Sequence, residues 1–527
     1  MKLKNKIIST EDFKALHPFN EIPDIFIATS DTDIYFTKLA NKIMREVEKY
    51  TIKEDLFSPQ IIRTIALRTT GYFEDIISNW GLFAGFRKLC DKLTGKKIPW
   101  FDIPEDYIED EINFIDIQFL IWATLQEDFN KRNKYKSSFS PPNHSLIRNL
   151  TSIIYEILDS EYETAPENDS VYQLLHTFDF SDFYNFRETL FWLYSNTYLS
   201  MNYPKQSLHD AEVEYKKESG NMFNEDRLDP ESRYYMYKVN AIMLKTCTPV
   251  AVRAIEWFEA ITSNETMLKK IKNCVSRQME CYKIIGNDGD YLFLETFDEE
   301  PEKFTMVQKN SADIGSARTG NFTNQIVFTI LTYFDGVWWI NGLSSFMMDD
   351  GTFEKKERKK IAQKKENKEL LKYNYETFLK NNNNEVIAFA ENFDQLKSFW
   401  KKTFPNSKGF EDFRDDKFFV IFYKEDIGIL TLPNVAKVIK HPNNKFYDQQ
   451  TTEKGGAVIL TGALQLPLQL LEFLIDNNYI PDITMEFTKD KQYNKQVIQS
   501  HLWFILRFFQ PNLFDKMMLI EPEYLRY

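Results

Sequence analysis

A chain of 527 residues with 43% hydrophobic and 27% charged side chains is built like an ordinary globular protein, which excludes disorder as a general state. At roughly 150 residues per domain this length suggests about three to four units. The net charge of −13 disfavours nonspecific attachment of the whole molecule to a phosphate backbone, and a content of only 17 glycines and 19 prolines favours long regular elements.

Four cysteines, Cys90, Cys247, Cys274 and Cys281, include no Cys-x-x-Cys pair. Cys274 and Cys281 would lie two helical turns apart, too far to bridge. So few thiols in a long chain point to a reducing compartment, and the cytoplasm is expected. The basic start, Met1-Lys-Leu-Lys-Asn-Lys, has no apolar stretch behind it and does not read as a secretory signal.

The first half reads as helices. Ser30-Asp31 caps a run to Tyr50 in which Ile34, Leu39, Ile43 and Val47 recur at near-helical spacing. Ser58-Pro59 is an N-cap followed by proline in the first turn, and opens a helix to about Asn79 that Gly81 closes. A shorter helix over Phe83 to Leu93 ends at Gly95. The segment Phe101 to Glu111 is an acidic loop leading to a helix from Asn113 to Asp128, whose centre Phe119-Leu-Ile-Trp-Ala reads as fully buried. Further helices are expected over Ser145 to Leu158, Phe183 to Tyr198, Pro230 to Lys245, Pro249 to Ile261, and Ser263 toward Arg277.

The period then becomes strand-like. Tyr282-Lys-Ile-Ile-Gly and Tyr291-Leu-Phe-Leu flank a turn that demands positive φ, a hairpin pattern. Ile326 to Phe334 and Val337 to Ile340 flank Asp335-Gly336, which sets Tyr333 against Trp338 and Thr332 against Trp339. Lys355 to Lys372 reads as a solvated basic linker helix. After it come a helix over Phe393 to Phe404 and strands at Phe418 to Tyr423 and Ile427 to Leu432. A short helix over Pro433 to Ile439 follows, then a turn at His441. The uncharged stretch Gly455 to Leu471 carries Pro467 and three glycines, so it reads as a buried strand (Ala457 to Leu460), a turn and a core helix rather than a membrane span. A last helix is expected over Lys489 to Phe509.

Catalytic spacings are absent. None of the six histidines sits in a His-Glu-x-x-His pattern, and no Walker, Rossmann or Gly-x-Ser-x-Gly motif occurs. His209, amid Asp210, Glu212 and Glu214, is the best metal candidate, yet an exposed acidic helix explains it and no metal or cofactor is expected. His501 beside Trp503 reads as a satisfied core residue. Glu74 and Asp75 point in different directions on one helix, with a salt link to Arg68 as the expected explanation. Consecutive strand residues face opposite ways, so burying both Trp338 and Trp339 needs cover on two sides. Both tryptophans buried under neighbouring helices is the favoured reading, and Tyr333, Trp338 and Trp339 are the candidate partner-binding residues if one stays exposed.

Several stretches carry a likeness: Ala66-Leu-Arg-Thr-Thr-Gly-Tyr-Phe-Glu-Asp-Ile-Ile, Gly336-Val-Trp-Trp-Ile-Asn-Gly, Leu432-Pro-Asn, and Lys440-His-Pro-Asn-Asn-Lys-Phe-Tyr-Asp. Together they resemble an uncharacterised bacterial family of unknown function across most of the chain. The resemblance implies a shared architecture and brings no activity and no catalytic residue.

The expected fold is α+β and mainly helical. A helical region runs to residue 278, a small SH3-like or OB-like barrel module covers 279–348, a charged linker helix covers 349–384, and an α+β region covers 385–527. The expected function is a cytoplasmic binding or scaffolding protein that engages a protein partner through the β module or its acidic surface, with no membrane. The alternative is an enzyme whose site is assembled from residues distant in sequence. A third reading is a nucleic-acid-associated protein using Lys355 to Lys372.

Overall fold

The computed structural model of the chain describes residues 7–18, 31–51, 57–132, 141–201, 238–239, 241–288, 290–298, 300–307, 325–348, 351–405, 415–425, 428–448, 455–481 and 497–516. The first half contributes α1 (Thr10–Lys14), α2 (Asp31–Thr51), α3 (Pro59–Ile77), α4 (Leu82–Thr94), α5 (Phe114–Arg132), α6 (Ser145–Asp159), α7 (Asp169–His176), α8 (Phe183–Ser195), α9 (Ala254–Ile261) and α10 (Glu265–Lys272). α3 starts as its sequence dictates, with the Ser58 hydroxyl accepting from the Ile61 amide and Pro59 in the first turn. It is buried on nearly every side, so polar residues on it need internal partners. Gly85 on α4 lets α9 approach closely, since a Cβ there would stand 2.7 Å from Ile261 Cγ1.

Two predicted helices start later or end earlier than the pattern suggested. Thr248-Pro249 opens a turn instead of a helix: Ala251 takes a positive φ, and α9 begins only after Arg253, whose amide is capped by Glu256. α10 stops at Lys272, and Val275–Ser276 then forms a short strand, β1. The predicted helix from Pro230 lies outside the described residues up to residue 237, as does His209.

Five strands close into a barrel: β2 (Glu280–Asn287), β3 (Tyr291–Glu295), β4 (Lys303–Val307), β5 (Gln325–Phe334) and β6 (Val337–Met348). β2, β3 and β4 form an antiparallel meander, β4 pairs parallel with β6, β6 pairs antiparallel with β5, and β5 returns to β2. Numbered along the chain, that spatial order is 1-2-3-5-4-1, the order of an OB-type barrel. The Asp335-Gly336 turn has positive φ at both residues, and the register is the expected one, Tyr333 opposite Trp338 and Thr332 opposite Trp339. Inside the barrel lie Tyr282, Ile284, Leu292, Leu294, Phe304, Met306, Val327, Leu331 and Ile340. Ile330, Phe334 and Trp339 face the other way and join the helical core, where Phe334 stacks on Phe186 at 5.0 Å.

α11 (Thr352–Asn381) leaves the barrel as one long helix, and residues 365–370 are exposed all round, as expected of a helix that bridges two bodies through solvent. Both signs alternate along it, with Arg358 bound to Glu354 and Lys360 to Glu357. The final region holds an antiparallel sheet of β7 (Ile387–Asn392), β8 (Lys417–Lys424) and β9 (Gly428–Leu432), together with α12 (Phe393–Thr403). One sheet face packs Phe419, Ile421 and Tyr423 against Phe378 of α11 and Leu396 of α12; the other turns Val420 and Phe422 into the main core.

The uncharged stretch corrects the sequence reading. Gly455–Leu460 is a helix, α13, not a strand, and α14 (Leu468–Asp476) follows a turn. Ala457, Ile459 and Leu460 are all buried, so there is no alternation for a period to reveal, and short apolar runs of this kind do not distinguish the two states. No described helix is long and apolar enough to cross a membrane. The last predicted helix lies outside the described residues up to residue 496 and is interrupted near His501, and α15 (Leu502–Phe509) packs Phe504 and Phe508 against Trp122 of α5. His501 is the core residue expected of it, buried, with Nε2 accepting the Trp100 amide at 3.0 Å.

Candidate functional site

Strands β3 and β4 turn a partly exposed face away from the barrel interior. Alternation along β3 sends Leu292 and Leu294 inward and leaves Tyr291, Phe293 and Glu295 outward. On β4, Lys303, Thr305 and Val307 face out, and the register sets Tyr291 beside Val307, Phe293 beside Thr305 and Glu295 beside Lys303. A bulge in β2 puts Gly286 opposite Phe293, and a Cβ at Gly286 would stand 3.2 Å from the Phe293 ring. The ring thus lies across the glycine, while Ile285 in the bulge is 44% exposed. The result is a half-open platform of Ile285, Tyr291 and Phe293, with Val307 at its edge packed against the main core.

Its charged surround is acidic. Asp288, Asp290, Glu295, Asp298, Glu300 and Glu302 flank the two strands, against Lys283, Lys303, Arg277 and Arg358, which donates to the Asp298 carbonyl. Arg277 is already engaged, paired with Glu280 and Glu302 and lying over the Phe304 ring.

The aromatic residues singled out by sequence fall elsewhere. Trp338 and Tyr333 are half-buried neighbours, ring centroids 5.3 Å apart, and Trp338 also meets Phe304 edge-on at 5.1 Å. They plug one end of the barrel. Trp339 faces the helical region, meets Tyr184 edge-on, is 6% exposed, and donates its Nε1–H to the Phe334 carbonyl at 3.1 Å. Trp339→Ala is therefore expected to cost about 3–5 kcal/mol, and Trp338→Ala about 1–2 kcal/mol, in urea unfolding. Equal losses would contradict this division of roles.

A model of one protein family matches residues 8–287 and 335–510. The chain belongs to the DUF3843 family. That family is described only as one of unknown function, as the sequence resemblance implied. No curated protein and no solved structure matches the chain. The DUF3843 match takes in the helical half, β2, β6, α11 and the C-terminal sheet, and it omits residues 288–334. The β3–β4 platform of this DUF3843 chain thus sits in the unmatched stretch, on a barrel whose remaining strands are mostly matched.

The densest chemistry in the DUF3843 helical half is sealed from solvent. His17 lies with Nδ1 3.1 Å from Asp33 and Nε2 2.8 Å from Glu74, all three side chains at most 2% exposed. Burial alone would push the imidazolium pKa down, but Glu74 and Asp33 outweigh it and hold it up at about 10. Asp75 accepts the Leu82 and Phe83 amides and the Tyr198 hydroxyl, and burial nonetheless pushes its carboxyl up to about 6. Asp116, beneath Tyr72 and Tyr107, is pushed by burial up to about 7. The expected link of Glu74 or Asp75 to Arg68 is not made: Arg68 points to α5 and binds Glu127 through both Nη atoms. Residues on one helix face inward at different angles, and each finds its partner in a different segment: His17 after α1 for Glu74, Glu127 of α5 for Arg68, and Tyr198 after α8 for Asp75.

Sequence reasoning passed over Tyr291 and Phe293. Their signal was present in the alternation of Tyr291-Leu-Phe-Leu, which assigns two aromatics to one strand face; the tandem tryptophans were simply the louder pattern.

Proposed function

We propose that the chain is a binding protein that engages a protein partner through the outer β3–β4 face of its barrel. The observation that carries this reading is the platform of Ile285, Tyr291 and Phe293, left half open on a barrel whose opposite side is buried against helices. Aromatic side chains at such positions bring large contact area at low entropic cost and anchor interfaces. The acidic rim favours a partner with apolar side chains flanked by basic ones and works against a phosphate backbone.

The test compares tagged wild-type chain with a Tyr291→Ser/Phe293→Ser variant in capture from native lysate. A stoichiometric partner recovered by wild type and weakened about tenfold or more by the variant, the loss of one anchor worth about 1.4 kcal/mol, is the expected result. Equal recovery by both chains, or no partner at all, would overturn the reading. The unfolding midpoint of the variant is read alongside, so that loss of the fold is not mistaken for loss of binding.

A further inference from the structure

We propose that a second site, a cationic cleft between α9, α10, β1 and the chain's last described turn, binds a small phosphate-bearing anion. The cleft has a volume of about 530 Å³, within the range of small-molecule sites, and a second hollow of about 410 Å³ adjoins it across α9, sharing Glu256 and Glu259 as common wall. Arg253, Lys272 and Lys516 line the first, and Lys88, Lys92 and Arg507 line the second.

Three cations against two carboxylates line the first cleft, the reverse of the charge balance of a chain at −13. Glu256 and Arg253 neutralise each other, bound at the guanidinium and at the Arg253 backbone amide, and the other Arg253 Nη donates to the Met243 carbonyl, so the first cleft keeps Lys272 and Lys516 against Glu259. Asp515, next to Lys516, is turned away to the Thr246 amide and hydroxyl. Burial first, and then the nearby Arg253 charge, depress the Lys516 ammonium, with Glu256 acting in the opposite direction. Arg507 is held by the Val250 and Ala251 carbonyls and the Phe514 ring, with its Nε buried and without a hydrogen-bond partner among the described residues.

Cys274 also lines the cleft, but burial pushes its thiol up to about 12, so it is a wall and not a nucleophile. The lining suits a small ligand with several negative oxygens: the Lys272 and Lys516 ammonium groups come from separate elements, and apolar Leu244, Ile255 and Ile271 line the same cleft. The site is independent of the barrel platform, and nearly all of its residues fall within the matched segments of the chain.

Calorimetric titration of the full chain with inorganic pyrophosphate tests it. One-site binding is expected, weakened about tenfold or more by Lys272→Glu/Lys516→Glu and weakened by rising salt, while Lys359→Glu/Lys365→Glu on the exposed bridging helix leaves it within about twofold. Lys272 and Lys516 are exposed side chains, and an unchanged unfolding midpoint confirms that the fold is kept. No saturable heat with the wild-type chain, equal weakening by both variants, or binding indifferent to the cleft variant would each overturn the proposal.

Discussion

Replacing His17 with leucine is expected to lower the unfolding free energy by about 3–5 kcal/mol, because it leaves two carboxylates buried without their cation. His17 follows α1, Asp33 belongs to α2 and Glu74 to α3, so one imidazolium ties three elements together. Phe13 and Trp80 pack edge-on to the ring, and Asn168 donates to the second Glu74 oxygen. Water therefore has little access to stabilise the orphaned charges. Adding Asp33→Asn and Glu74→Gln to His17→Leu removes those charges and is expected to recover much of the loss. A single-variant loss below about 1 kcal/mol in urea unfolding would contradict the account.

The same triad sets a pH dependence. The folded imidazolium titrates at about 10 against 6.5 when unfolded, so its stabilisation is complete below about pH 6.5 and is lost as pH rises toward 10. Asp75 and Asp116 act in the same direction lower down, since their raised carboxyls favour the folded state only while protonated, and that contribution goes as pH climbs through about 6 and 7. The wild-type urea midpoint is expected to fall steadily across this window, and the His17→Leu chain to fall less above neutrality.

Arg68→Met is the second large effect expected, again about 3–5 kcal/mol, because Glu127 would be left buried and unpaired. Arg68 spans from α3 to α5 with Nη1 2.8 Å and Nη2 2.9 Å from the two Glu127 oxygens, and Nη1 also reaches Thr124 at 3.0 Å. Lysine at 68 offers one charged group in place of a planar fork, so Arg68→Lys is expected to restore little. Arg68→Met/Glu127→Leu is expected to be far more stable than Arg68→Met alone, since breaking a buried pair costs more than deleting both members. Comparable urea midpoints for the single and double variants would show that the pair is not the support it is taken to be.

Local rules carried far in this chain. Ser58-Pro59, Gly95 and Asp335-Gly336 place a helix start, a helix end and a hairpin register because each depends on backbone chemistry within a few residues. The barrel module and the mainly helical α+β class were legible for the same reason. Thr248-Pro249 misled because the same local signal also suits a turn, and the choice was made by the Arg253–Glu256 cap several residues on. Ala457 to Leu460 misled because burial on all sides erases periodicity. Glu74 lies 57 residues from His17, Glu127 lies 59 from Arg68 and Tyr198 lies 123 from Asp75, separations that no spacing rule reaches. The β3–β4 platform was half legible: the alternation marked its aromatics, but which barrel face stays uncovered depends on how the helices dock.

Hydrogen exchange of the full chain, free and with its captured protein partner at saturating concentration, tests the partner-binding proposal most directly. The account predicts slowed exchange concentrated in β3 and β4, over residues 291–295 and 303–307, and in the β2 bulge at Ile285, with the barrel end at Tyr333 and Trp338 little changed. Protection confined to other surfaces, with β3 and β4 exchanging as in the free chain, would contradict it.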